Sequence, residues 1–132
     1  MNLSLRDTYI ATREFTSLAI EAGKPLFGFL MKVAEHYVHD PQKLEDDSYI
    51  AKLLFDAFKD ADFNPTKTKK IVKGLVGVLG GFGGGCFGTS LALILTGLFP
   101  ALIPFNAALG MGLNIVCGTL AGEGGKRIVE LF

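Results

Sequence analysis

Residues 74–122 read GLVGVLGGFGGGCFGTSLALILTGLFPALIPFNAALGMGLNIVCGTLAG, forty-nine positions without an Asp, Glu, Lys, Arg or His. A bilayer's hydrocarbon core is about 30 Å thick, and a helix needs about 20 apolar residues to cross it. The stretch therefore has room for two crossings and a short turn. The expected fold is all-α, an amphipathic helical N-terminal head followed by a glycine-rich transmembrane helical hairpin. The first span is expected over about Lys73 to Leu98 and the second over about Pro104 to Gly122. Between them Phe99-Pro100-Ala101-Leu102-Ile103-Pro104 has two prolines and no charge, so the turn belongs in or near the membrane interface.

Basic residues stand at both ends of this stretch: Lys67, Lys69, Lys70 and Lys73 before it, Lys126 and Arg127 after it. A hairpin puts the two clusters on one side, and basic residues favour the cytoplasmic side of a membrane. The expectation is an integral membrane protein with two spans and both termini on the cytoplasmic, or equivalent inner, side.

Small residues recur along the spans at steps of four. Gly77, Gly81 and Gly85 form one seam, Gly80, Gly84, Gly88 and Ala92 an adjacent one, and Gly110, Asn114, Gly118 and Gly122 a third on the second arm. Glycine costs a helix in water about 1 kcal/mol against alanine, yet in lipid such a repeat lets two backbones approach closely. The competing reading is that Gly80-Gly81 and Gly83-Gly84-Gly85 break the helix, which in lipid would leave backbone groups unpaired. Two seams on the first arm are one more than a hairpin needs. The spare face implies a further helix, with a second copy of the chain as its simplest source.

Pairing the arms about residue 101 puts Cys86 and Cys117 at one depth and Asn114 near Thr89 and Ser90. Asn114 then either lines a polar path or fixes the hairpin register by an interhelical hydrogen bond. The cysteines read as small apolar space-fillers or as a disulfide, the latter disfavoured in a reducing compartment.

The head, residues 1–64, reads as three amphipathic helices. Ser4 with Asp7 resembles a capping box, and Leu5, Tyr9, Phe15, Leu18 and Ala19 recur at helical spacing until Gly23. Pro25 suits the first turn of a second helix. Its apolar face is Leu26, Phe29, Leu30, Val33 and Tyr37, widened by Phe27 and Met31. That face either packs within a helical domain or lies in a membrane interface. Asp40-Pro41 ends it and PQKLEDD is a polar connector. A third helix, roughly Asp46 to Ala61, carries Ile50, Leu53, Leu54, Ala57 and Phe58 on one face. Asn64 as cap and Pro65 at the first helical position open the hairpin unit, residues 65–132, which closes in a short basic tail.

Motifs for chemistry are scarce. All 26 Asp, Glu, Lys and Arg residues lie outside residues 74–122, and 13 basic against 13 acidic residues argue against nucleic acid as a partner. The opening MNLSLRD, with its early acidic residue and no apolar run behind it, does not read as a secretory signal. Asp60, Asp62 and Asn64 open like a calcium loop, but Pro65 and Ile71 stand where it needs glycine and glutamate. His36 and His39 have the spacing of two metal ligands on a helix, without a third; surface histidines are the simpler reading. The run GFGGGCFG lacks the lysine-serine ending of a phosphate loop. The glycine-rich first arm resembles the proton-translocating ring subunit of rotary ATPases, but that ring needs a membrane carboxylate and residues 74–122 hold none.

No enzyme, cofactor, metal site or small-molecule substrate is expected. The partners are the lipid bilayer and either further copies of the chain or other membrane helices. The leading expectation is a non-enzymatic membrane protein that self-associates through a glycine zipper, forming a pore or perturbing the membrane. The alternative is an accessory or anchoring subunit of a larger membrane complex, its head binding a soluble partner. A third reading is a water-soluble oligomer that hides the hairpins at its centre.

Overall fold

The computed structural model describes the backbone of residues 5–59, 61–81 and 87–132, and the side chains of residues 10, 12–59, 61–81 and 91–132. Among the described residues the fold is all-helical. The helices are α1 (Leu5–Ala22), α2 (Lys24–His39), α3 (Asp47–Phe58), α4 (Pro65–Gly81), α5 (Phe87–Leu98), α6 (Asn106–Leu120) and α7 (Glu123–Leu131). Two 3-10 segments, Pro41–Glu45 and Pro100–Phe105, precede α3 and α6.

Local chemistry sets most of these boundaries. Between α1 and α2, Gly23 has φ 62° while its N–H donates to the Ala19 carbonyl at 3.0 Å. That left-handed backbone suits glycine, and it turns the chain without a loop. Pro25 follows in the first turn of α2, where its missing N–H costs no bond. Asp46 is the cap of α3, its carboxylate accepting from the Ser48 N–H at 3.0 Å, so the helix begins one residue later than its spacing alone implies. Asn64 Oδ1 accepts from the Lys67 N–H at 2.7 Å and opens α4 on Pro65. Asn64→Ala is expected to cost about 1 kcal/mol of stability, read as a lower urea midpoint with unchanged slope.

The apolar faces meet around α6. Leu109, Leu113, Val116, Cys117 and Leu120 are buried there, against Leu91, Ala92 and Leu95 of α5 in the most extensive helix pair of the molecule. The next most extensive is α2 on α6, and Leu26, Phe29, Leu30 and Val33 are buried on α2. This answers for α2 the choice between domain packing and a membrane interface, since its apolar face lies in the core. α1 packs on α4, where Gly74 faces Leu18, and α3 joins α2 through a core of Ile50, Leu53, Leu54 and Phe58.

On the first arm α4 is described to Gly81 and α5 from Phe87. The stretch 82–86, with Gly84, Gly85 and Cys86, lies outside the described residues, and so does the choice between glycine packing and a glycine break there. Among the described residues one segment, Pro100–Leu120, is long and apolar enough to cross a membrane; 39% of its apolar window is buried.

Residues 123–132 are more than a basic tail. Gly122, at φ 84°, turns the chain, and α7 packs against α3, α4 and α6. Arg127 Nε lies 3.4 Å from Asp47 Oδ2, and the Phe132 ring stacks on Phe55 with centroids 4.1 Å apart. α7 thus ties α4 and α6 to α3.

Candidate functional site

Two surfaces combine the residues singled out by the sequence. The first is the turn end of the α5–α6 hairpin. Pro100 and Pro104 hold the connector as a 3-10 segment in which only Leu102 is fully buried. Leu93 is 60% exposed, Ile103 61%, Phe105 42% and Met111 48%, with Gly97, Pro100, Ala101, Pro104 and Ala107 exposed among them. No charged residue occurs anywhere in this part of the chain. Leu93, Ile103, Phe105 and Met111 are four of the exposed large apolar side chains among the described residues. From Asn106 to Met111 the helix rises roughly 8 Å.

The second surface is a cleft of about 460 Å³ where α4 meets the α6–α7 turn, lined by Lys73, Val76, Gly77, Gly80, Leu120, Gly122, Gly125, Lys126, Val129 and Glu130. Backbones approach one another closely along it. A Cβ on Gly80 would sit 2.8 Å from the Leu120 carbonyl oxygen, and one on Gly125 would sit 3.0 Å from Val76 Cγ1. A Cβ on Gly77 would meet nothing within 4 Å. The cleft therefore gathers Gly77, Gly80 and Gly122, one from each of the three sequence seams, with one lysine from each basic flank. Lys126 Nζ lies 3.9 Å from Glu123 Oε1, both side chains largely in water, so this contact restrains the ammonium little.

The remaining singled-out residues are dispersed. Gly81 is exposed, and a Cβ there would meet nothing within 4 Å. Gly110 is buried on α6, Gly118 is exposed, and Asn114 is half-buried. Gly88 lies in α5, with its surroundings outside the described residues. Lys67 sits with its ammonium 4.4 Å from the Phe63 ring centroid, while Lys69 and Lys70 are exposed. Arg127 belongs to the α7–α3 contact.

Gly112 escaped the sequence reading, because it falls between the positions that recur every four. It is nevertheless where α2 crosses α6, since a Cβ there would lie 2.8 Å from Val33 Cγ1 and 3.2 Å from the Val33 carbonyl oxygen. Its signal lay in the partner helix, which spacing within one arm does not reveal. Thr119 was missed as well. Its hydroxyl lies 2.7 Å from the Leu44 carbonyl and 3.0 Å from that of Ile115, so it serves α6 and the connector before α3 together.

The two histidines do not act as a pair. His36 Nε2 shares a 3.0 Å hydrogen bond with the Tyr49 hydroxyl, edge-on to its ring, while His39 is exposed. Among the described residues no three His, Cys, Asp or Glu side chains are grouped to hold a metal ion. Compared with protein families, curated proteins and solved structures, the chain matches none of them.

Proposed function

We propose that this chain is a non-enzymatic membrane protein that meets the bilayer with the turn end of its α5–α6 hairpin and works as a self-associated assembly. The observation carrying this reading is the exposure of Leu93, Ile103, Phe105 and Met111 in a stretch of sequence that holds no charge. Burying such side chains is worth about 1.5–3 kcal/mol each, and a bilayer interface supplies that burial. The compact form seats only its tip. A two-span hairpin with both ends on the inner side forms when α2 leaves α6, because α2 covers the face of α6 at Gly112. Self-association then uses glycines with open space above them, Gly81 and Gly97. Assembled hairpins perturb the membrane or enclose a pore.

Flotation with lipid vesicles tests the bilayer contact, and native mass in detergent tests the assembly. The protein is expected to float, and its mass to be a multiple of the 14.1 kDa chain. Protein left at the bottom of the gradient overturns the membrane reading. A monomer held stoichiometrically by other membrane proteins replaces self-association with an accessory-subunit role.

A further inference from the structure

The lining of the cleft between α4 and α7 combines apolar residues, Gly80, Leu120 and Gly122 among them, with the charged Lys73, Lys126 and Glu130. Its 460 Å³ falls within the range of pockets for small ligands, about 300–1,000 Å³. Val76 and Val129 make the walls apolar, and the bare Cα of Gly77 leaves room for a chain to lie against α4. Lys73 and Lys126 bring two ammonium groups to the cleft against Glu130, with Glu123 3.9 Å from Lys126 Nζ but largely in water, and lysines beside apolar segments attract acidic lipid head groups. Glu130 accepts from a head group that carries hydroxyls.

We propose that this cleft binds one anionic phospholipid, its phosphate between Lys73 and Lys126 and one acyl chain along Gly77 and Gly80. The bilayer reading above supplies the source of the ligand. The lipid fills a face that the glycine spacing alone would assign to a second helix. Binding couples α4 to α7, and through α7 to the Asp47 end of α3.

The test uses the full purified chain in solution, so that binding is read apart from membrane contact. Isothermal titration is run with myristoyl lysophosphatidylglycerol, its phosphocholine counterpart and inorganic phosphate, each lipid below its micelle concentration. The glycerol lipid is expected to bind one-to-one, about tenfold tighter than the choline lipid, while phosphate alone gives no signal. Gly77→Leu projects a side chain into the open space and improves helix propensity. It is expected to keep the melting temperature and weaken lipid binding about tenfold or more. The double variant Lys73→Gln/Lys126→Gln is expected to retain binding and lose the preference for glycerol. Equal affinities for the two lipids, or wild-type affinity in Gly77→Leu, overturns the proposal. So does a Gly77→Leu protein that binds lipid normally but falls to a monomer, because the cleft is then a contact between copies. Selective lipid binding by a protein that does not float leaves the cleft assignment standing and removes the bilayer reading; flotation without selectivity does the reverse.

Discussion

Gly112→Leu is expected to lower the stability of the purified protein by about 3 kcal/mol, at the upper end of what overpacking a core costs. For a chain of this length, that is a melting temperature lower by roughly 10 °C. A Cβ alone at this position would come within 2.8 Å of Val33 Cγ1 and 3.2 Å of the Val33 carbonyl oxygen. The methyl can turn aside, but the carbonyl belongs to the backbone of α2, so relief requires the whole helix to move off α6. The following turn offers no slack, because Tyr37 Cβ lies 3.4 Å from the same point. Gly28→Leu is the matched control, since a Cβ there meets nothing within 4 Å. Circular-dichroism melts of the two variants check the prediction, and equal melting would place the α2–α6 crossing elsewhere.

The second large effect concerns the membrane and leaves the fold alone. Ile103→Glu with Phe105→Glu replaces two side chains that are 61% and 42% exposed, so the compact form loses little. At a bilayer interface the same pair loses two apolar contacts and gains two carboxylates that must stay hydrated. About 2 kcal/mol for each site, within the worth of burying such a side chain, amounts to a partition coefficient lower by roughly a thousandfold. Titrating vesicles against a fixed protein concentration measures it, with thermal melting as the check on folding. Unchanged partition together with an unchanged melt would show that the exposed tip serves a protein and not a lipid surface.

How much was legible in the residues depends on the range of the interaction. Gly23, Pro25, Asp40-Pro41 and Asn64-Pro65 act within a turn, and the helices start and stop on them as their chemistry dictates. The apolar faces of α2 and α3 were visible as periodicity, and Leu26, Phe29, Leu30, Val33, Ile50, Leu53, Leu54 and Phe58 are buried as that implies. Periodicity names a face and not its partner. The absence of charge over residues 74–122 looks the same whether lipid or other helices surround the segment. That is why the packing of α2 on α6 had no trace in either helix taken singly. In α7, Gly124 and Gly125 weaken the helical signal, yet both lie against backbone where a Cβ would clash, Gly124 on the Thr119 carbonyl and Gly125 on that of Leu120. Of the cleft, the glycines and the lysines were each visible in sequence. Their meeting was not, because it depends on how α7 folds back after Gly122.

The crossing of α2 over α6 also sets a schedule for biosynthesis. Val33 and Gly112 are 79 positions apart, and translation proceeds at about 5–20 residues per second. The apolar face of α2 therefore leaves the ribosome roughly 4–16 s before the helix that will cover it. During that interval the nascent chain shows Leu26, Phe29, Leu30 and Val33 to whatever surrounds it. A chaperone or a nearby membrane has that long to reach the face before α6 does.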